Sequence, residues 1–131
     1  MKKKPTITQL KKKLDTIFSQ YVRLRDANED GLVACFTCGN TKHWKQQQNG
    51  HFQRREKMNT RFDTMNCQVQ CVTCNVFKDG EQYKFATNLD RKFGEGTAEN
   101  LLNKSNTIVK LNAEWYNEQY QYYKEKVIEL L

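Results

Sequence analysis

Proline, glycine and long apolar runs are all scarce in this sequence. It has one proline and six glycines among 131 residues. No low-complexity linker separates folded parts, which predicts a single domain over residues 1–131. No segment approaches the roughly 20 apolar residues that a transmembrane helix needs. The basic start MKKKPTITQLKKK lacks the apolar stretch and the cleavage site of a secretory signal. We therefore expect a cytoplasmic protein with no membrane partner.

Acidic residues are outnumbered, and the charges are unevenly placed. Lys and Arg total 22 against 15 Asp and Glu, which gives a net charge of +7. Between Lys42 and Arg61 the chain carries six Lys and Arg residues and a single acid, Glu56. Such a patch suits a polyanion such as nucleic acid. A solvated surface that keeps the protein soluble explains the charge alone equally well.

Short strand patterns lie between two amphipathic helices, which predicts an α+β fold. Apolar residues recur at helical spacing from Thr8 to Arg25, with Thr6 or Thr8 as the candidate N-cap. They recur again from Glu114 to Leu131, a face that Ile108, Leu111 and Trp115 extend toward the N-terminus. Strand patterns occur at LVA, GHFQ and CQVQC, whereas Thr41 to Asn49 is predicted to be a loop. Two shorter helices are expected. One is YKFATNLDRKFG, with Gly94 as its stop, and the other is TAENLL, capped by Thr97. We divide the domain into an N-terminal basic helix (1–30), a zinc-knuckle core (31–80) and a C-terminal helical segment (81–131). The aromatic stripe of the last helix is expected to pack on the first helix, with a dimer seam as the alternative.

Four of the five cysteines form two C-x2-C pairs. Cys35 pairs with Cys38, and Cys71 with Cys74. Four thiolates at this spacing predict a tetrahedral structural Zn²⁺ site. The fifth cysteine, Cys67, is expected to be a small buried residue, although it could compete as a ligand.

The segment between the two cysteine pairs is unusually long. It contains 32 residues, more than the 15–20 or so of a simple two-knuckle site. It carries His51 and the basic patch, and a metal at both of its ends would stiffen it. Zinc binding of this kind is worth about 10–16 kcal/mol, comparable with the stability of a whole domain, about 5–15 kcal/mol. The central fold is therefore predicted to depend on the metal.

Residues around the second cysteine pair follow a nuclease-like spacing. Asn66 lies five positions before Cys71, Asn75 follows Cys74, and the string GHF precedes them, giving N-x4-C-x2-C-N-x2-K. This pattern resembles the HNH, or His-Me finger, nucleases. CFTCG, GHF, RFDTMNCQVQC and the opening LKKKLDTIFSQYVRLRDANEDG are similar to the NinG/Rap recombination proteins of lambdoid phages over nearly the whole chain.

That resemblance implies a phage-borne endonuclease in the host bacterial cytoplasm. It would hydrolyse phosphodiesters in branched recombination intermediates, a Holliday junction or a D-loop. Its fold would be a zinc-stabilised ββα-metal core flanked by the N- and C-terminal amphipathic helices. Symmetric cutting of a four-way junction needs two active sites, so a homodimer is a candidate assembly, and a recombinase is a candidate partner.

The same resemblance implies catalytic roles for His51, Asn66 and Asn75. His51 would be the general base, because imidazole titrates near neutral pH. Asn66 would orient His51 through a hydrogen bond. Asn75 would offer its carbonyl oxygen to Mg²⁺ or Mn²⁺, which would act as a Lewis acid on the phosphate. The zinc would only position the elements that carry these groups.

One position departs from the common HNH pattern. Most HNH enzymes have Asp or His directly before the base histidine, whereas this chain has Gly50, a glycine that NinG-like proteins share. Asp63 is our first candidate for the missing carboxylate ligand, followed by Glu56 and Glu81. The predicted phosphate contacts are nearby basic residues: Arg54, Arg55, Lys57, Arg61 and Lys78.

Two alternatives remain open from the sequence. A zinc-knuckle DNA-binding adaptor without catalysis would share the cysteines and the basic patch, and Gly50 favours it. An RNA nuclease would use the same chemistry. The remaining histidine, His43, is expected to be an exposed side chain or an incidental DNA contact.

Overall fold

The computed structural model describes residues 3–131, which form an α+β fold as predicted. Their α-helices are α1 (Ile7–Arg25), α2 (Met58–Arg61), α3 (Gln82–Phe93), α4 (Thr97–Ser105) and α5 (Ala113–Leu130). Their strands are β1 (Leu32–Ala34), β2 (Thr41–His43), β3 (Gln48–His51) and β4 (Cys67–Gln70). β1 pairs with β2 and β3 with β4, both antiparallel, in two separate two-stranded sheets. None of the described helices is both long enough and apolar enough to cross a membrane.

Helix α1 supplies much of the main core. Its start at Ile7 is fixed by a capping box, in which Thr6 accepts from the Gln9 backbone and the Gln9 side chain accepts from the Thr6 backbone. One buried face repeats every four residues: Leu10, Leu14, Phe18 and Val22. This spacing places all four side chains on one stripe of the helix, and the stripe packs against α5 and the β3–β4 sheet.

Helix α5 covers α1 with aromatic side chains. The Tyr123 ring lies 4.9 Å from that of Phe18 and 5.0 Å from that of Tyr21, which confirms that the aromatic stripe packs on the first helix. The expected extension of this face back to Ile108 is wrong. The helix begins at Ala113 because Asn112 caps it, and Ile108 is fully exposed outside it.

The polar stretch from Thr41 to Asn49 is not the predicted loop. It forms β2, a 3₁₀ turn at Trp44–Gln46 and the start of β3. The reason lies in Gln47, a buried side chain whose Nε2 donates to the carbonyls of Val33 (2.9 Å) and Asn40 (3.0 Å). An internal amide replaces the apolar alternation by which strands are usually found in a sequence.

A second, smaller core lies under α3 and α4. Phe52, Phe85, Leu89 and Leu101 pack together there. α3 ends as predicted at Gly94, whose φ of 117° suits glycine. α4 is longer than the expected short turn, and its cap is Gly96 rather than Thr97, whose hydroxyl donates to the Gly94 carbonyl.

Candidate catalytic cleft and metal centre

The four paired cysteines form one cluster. The sulfur atoms of Cys35, Cys38, Cys71 and Cys74 all lie within 4.8 Å of one another. The Cys38 and Cys71 sulfurs are 3.7 Å apart, close to the roughly 3.8 Å that a tetrahedron of Zn–S bonds of about 2.3 Å requires. Backbone N–H groups of Asn40 and Cys74 point at two of the sulfurs, each at 3.4 Å. The geometry fits a structural zinc ion.

Cys67 lies outside this cluster and is fully buried, as predicted. It sits in β4 directly opposite His51. Its sulfur donates to the Arg61 carbonyl at 3.3 Å, and burial raises the pKa of the thiol far above its ordinary value. Because the other four sulfurs already form a complete tetrahedral set without it, Cys67 is a packing residue with one hydrogen bond.

An open cleft of about 1290 Å³ lies between α1, β3 and the segment that follows the second cysteine pair. His51 and Asn75 both line it. His51 is the last residue of β3, and Asn75 lies in a π-helical turn, Thr73–Phe77, that begins inside the zinc cluster. The cysteine frame thus holds one of the two residues directly and the sheet holds the other.

His51 is fixed by one backbone carbonyl. Its Nε2 lies 3.0 Å from the carbonyl oxygen of Arg61, which also accepts from Cys67. A carbonyl only accepts, so the proton of the neutral ring is on Nε2 and the lone pair is on Nδ1. Burial is the main cause that lowers the pKa of His51, to about 4, although the Arg61 carbonyl opposes it. At neutral pH the ring is uncharged and Nδ1 can accept a proton.

Asn66 does not make the hydrogen bond to His51 that the sequence led us to expect. Its side chain is fully buried; its Oδ1 accepts from the Gln53 backbone at 2.8 Å, and its Nδ2 donates to the carbonyls of Gln53 and Thr60. These three bonds close the segment 53–60. Asn66 therefore shapes the loop that carries part of the basic patch.

Asn75 is oriented by a neighbouring amide. Its Nδ2 donates to Oε1 of Gln48 at 2.8 Å, and its backbone N–H donates to the Cys71 carbonyl. Because Nδ2 is engaged, the carbonyl oxygen is the end of the side chain left for a ligand. The metal-binding role that the resemblance implies for Asn75 stays a prediction.

The five predicted phosphate contacts fall into three groups. Arg54, Arg55 and Lys57 are exposed and line the cleft. Arg55 also donates to Asp15 at 2.9 Å, but its side chain stays 59% exposed and so remains accessible to a phosphate. Lys78 is exposed but is not among the lining residues. Arg61 needs correction: its side chain is only 12% exposed and is held by Asp15, with Nε 2.9 Å from Oδ1. A guanidinium committed in this way holds the site together and is not free for phosphate.

The carboxylates of the cleft also differ from our prediction. Asp63 does not line it, because its oxygens accept from Lys104 and from the backbone of the turn at Met65. Glu81 pairs with Lys78 outside it. Glu56 lines the cleft, together with two acids that the sequence did not single out, Asp15 and Asp79.

A hard divalent cation finds oxygen donors in this cleft but no finished site. Within residues 3–131, the cysteine cluster is the only group of three or more His, Cys, Asp or Glu side chains close enough to share an ion. Mg²⁺ commonly binds through one or two protein oxygens, substrate phosphates and water. The Asn75 carbonyl and the cleft carboxylates are the donors that such binding would use, and the catalytic ion stays a prediction.

Gly50 has a steric reason to be a glycine. A Cβ at this position would overlap Oε1 of Gln70 and lie 2.6 Å from its Cδ. The Gln70 amide is fully buried, and its Nε2 donates to Thr37 and to the Gly80 carbonyl. The space that the ligand-bearing residue of most HNH enzymes would need is therefore filled from the neighbouring strand.

One side of the cleft is a face of α1 that sequence reasoning missed. Asp15, Ser19 and Arg23, spaced four residues apart, line it beside Thr16. Their spacing was a usable signal, because it places them on one stripe next to the buried stripe. No motif marked them, since they lie about 30 residues before His51.

Comparison with known protein families gives a match over the whole sequence. Residues 1–131 match the family model described as Bacteriophage Lambda NinG protein. No match was found among curated proteins or among solved structures. Because the match spans the whole sequence and includes the cysteine frame and the cleft, this chain belongs to the NinG family.

Proposed function

We propose that the protein is a metal-dependent endonuclease that hydrolyses phosphodiesters in branched DNA during phage recombination. The observation that carries the proposal is the state of His51. It is a neutral imidazole held through Nε2, and it lines the same cleft as the Asn75 amide. We interpret the β3–β4 sheet and the π-helical turn as the ββα-metal core that the HNH resemblance implies.

The chemistry requires an activated water, and we assign its activation to His51. With the ring proton on Nε2, the Nδ1 lone pair is free to take a proton from water. A base with a low pKa is weaker but is never lost to protonation near neutral pH. Bound DNA would raise the pKa, because phosphate charge favours the imidazolium.

The other residues position the substrate. Arg54, Arg55 and Lys57 present three cations along the cleft for the DNA backbone. The Asn75 carbonyl and one of Glu56 or Asp79 would hold Mg²⁺ or Mn²⁺, because both oxygens of Asp15 are already bound by Arg61 and Arg55. When bound, that ion supplies Lewis-acid stabilisation of charge on the phosphate and leaving oxygen. None of the three cations carries a base-reading arrangement, which fits recognition of DNA shape. A homodimer and a recombinase partner remain part of this proposal.

Cleavage assays test the proposal directly. Zinc-loaded protein is incubated with a four-way junction, a D-loop and a linear duplex of the same length, each with and without Mg²⁺ or Mn²⁺. We expect cutting of the branched substrates that needs the added cation. A parallel RNA hairpin distinguishes a ribonuclease. Tight binding of every DNA with no cutting under any of these conditions would overturn the nuclease proposal.

A second candidate, a non-catalytic zinc-knuckle adaptor, is favoured by one observation. Within the described part of the chain, no second cluster of acids and histidines accompanies the cysteines. An adaptor needs the cations and the zinc frame but not a neutral His51. The same assay separates the two candidates, because only the nuclease responds to Mg²⁺ by cutting.

A further inference from the structure

Arg23 is set into the α1 wall of the cleft in an unusual way. Its Nε donates to the Ser19 carbonyl at 3.1 Å and to the Ser19 hydroxyl at 3.2 Å. Its Nη1 donates to the Trp44 carbonyl at 3.2 Å. The guanidinium carbon lies 5.3 Å from the centre of the Trp44 ring. These contacts fix the side chain from two elements that are distant in sequence.

No acid neutralises this guanidinium. Among residues 3–131, no carboxylate lies within 4.0 Å of Arg23, although several other arginines and lysines in the molecule have such partners. No acceptor in that same part of the chain bonds Nη2. Half-burial lowers the pKa of Arg23, yet an arginine stays charged at any physiological pH. A fixed, half-buried cation without a counter-ion has lost hydration that an anion can replace.

The free N–H donors of Arg23 and its position in the cleft indicate which kind of ligand it would bind. A guanidinium whose Nε and one Nη1 hydrogen are used keeps three N–H donors for a ligand. Such donors suit the oxygens of a phosphate, because charge-assisted bonds of this kind are strong and directional. Arg23 also lines the cleft that contains His51 and Asn75. An anion bound there would share the cleft with the proposed reacting groups.

We propose that Arg23, braced by Ser19 and Trp44, is a backbone-phosphate binding residue for the DNA strand that occupies the cleft. This inference rests on the proposed function and adds a contact from the N-terminal helix, outside the basic patch. It also gives Trp44 a role, because the indole ring lies close to the guanidinium and the Trp44 carbonyl accepts from it. Phosphate binding at Arg23 should therefore change the surroundings of Trp44.

Binding experiments test this inference without any chemistry. The parent protein is His51→Ala, loaded with zinc and free of Mg²⁺, and the probe is a synthetic four-way junction. Arg23→Gln in this parent should weaken junction binding about 3- to 10-fold near 0.1 M salt. One lost phosphate contact should reduce the slope of log affinity against log salt by about one. Arg23→Lys keeps the charge but loses the guanidinium contacts with Ser19 and Trp44. Its affinity for the junction should therefore fall between those of the parent and of Arg23→Gln.

A matched variant controls for the charge itself. Lys12→Gln removes one positive charge from the same helix. Lys12 is exposed and does not line the cleft. We expect it to leave affinity and slope close to those of the parent. Equal effects of Arg23→Gln and Lys12→Gln would overturn the inference.

Trp44 fluorescence gives a second readout that leaves Arg23 unchanged. The chain has two tryptophans, so Trp115→Phe leaves Trp44 as the only one. Junction binding should shift the emission of this otherwise native protein. DNA that binds tightly with no change in Trp44 emission would contradict a phosphate at Arg23. The nuclease proposal can fail while this result stands, because no cleavage is measured.

Discussion

The Nε2 atom of His51 lies 3.0 Å from the carbonyl oxygen of Arg61, a residue whose own guanidinium is bound by Asp15 of helix α1. The proposed base is therefore held by the backbone of one residue, and that residue is held by a side chain from the N-terminal helix. Arg61 also donates from Nη1 to the Arg55 carbonyl at 2.9 Å. The order of the site depends on this chain of contacts, and each link can be broken separately.

The protonation state of His51 gives the first prediction. Burial lowers its pKa to about 4, so the folded protein binds this proton less readily than the unfolded chain, where histidine titrates near 6.5. The unfolded state then holds more protons between pH 6.5 and about 4, and the stability contributed by a neutral His51 is lost as pH falls through that window. We expect His51 to be neutral at pH 5.5 with its proton on Nε2.

Nitrogen-15 NMR of the zinc-loaded protein measures both properties. Only two histidines need assignment, and the His51→Ala spectrum identifies the His51 signals. Neutral-ring shifts with Nε2 protonated at pH 5.5 are the expected result. A protonation midpoint near 6.5, or a proton on Nδ1, would contradict the assignment of Nδ1 as the base.

The ion pair between Asp15 and Arg61 gives the second prediction. Their side chains are 17% and 12% exposed, and removing one partner leaves a largely buried charge. Asp15→Asn should destabilise the protein by roughly 2–4 kcal/mol and lower cleavage more than DNA affinity. Glu129→Gln is the control, because its pair with Lys126 is at the surface and should be worth under about 1 kcal/mol. Urea unfolding of the zinc-loaded variants measures both losses of stability. Equal losses in Asp15→Asn and Glu129→Gln would show that the Asp15–Arg61 pair does not hold the site.

Metal removal gives the third prediction. Each chain should bind one zinc ion through the four clustered cysteines. Removing this ion with a chelator should unfold the region between β1 and the π-helical turn. Cys74→Ser should lower the zinc content, whereas Cys67→Ala should leave it unchanged and cost about 1–2 kcal/mol of packing. Zinc content by mass spectrometry and far-UV circular dichroism report these outcomes. A chain that keeps its fold after complete zinc loss would refute the structural role.

Gly50 gives the fourth prediction. Gly50→Asp would restore the acid of most HNH enzymes, but its Cβ would overlap Gln70. We expect a loss of roughly 1–3 kcal/mol in stability, as for other overpacked sites, and no gain in cleavage. Gln70→Ala added to Gly50→Asp should remove the overlap and recover part of the stability. Thermal unfolding measures this pair; an equally stable Gly50→Asp protein would show that the space is not filled.

Local patterns were enough to predict much of the fold. The capped α1, the β4 alternation, α3 with its glycine stop and the four-cysteine cluster all depend on residues close together in sequence or on fixed ligand spacing. The prediction of a loop from Thr41 to Asn49 was wrong. Gln47 takes the place of a buried apolar side chain there and bonds to the carbonyls of Val33 and Asn40. The extension of the last helical face to Ile108 was predicted wrongly, because Asn112 caps α5 and the helix begins only at Ala113.

The site was predicted less completely, for a physical reason. Motif spacing brought His51 and Asn75 to one cleft, and placed Arg54, Arg55 and Lys57 beside them. Motif spacing could not show that Arg61 forms a salt bridge with Asp15, or that Arg23 lines the same cleft. Both depend on how α1 lies against the zinc frame, and this is decided by the core contacts of Phe18 and Tyr123 rather than by any motif.

The rate of DNA cleavage without His51 tests the central claim most directly. Single-turnover cutting of a four-way junction is compared for the zinc-loaded wild type, His51→Ala and, as a matched control, His43→Ala, whose ring lies outside the cleft. We predict that His51→Ala cuts at least about 10²-fold more slowly while still binding the junction, and that His43→Ala cuts at nearly the wild-type rate. Cleavage by His51→Ala within a few-fold of wild type would contradict the account.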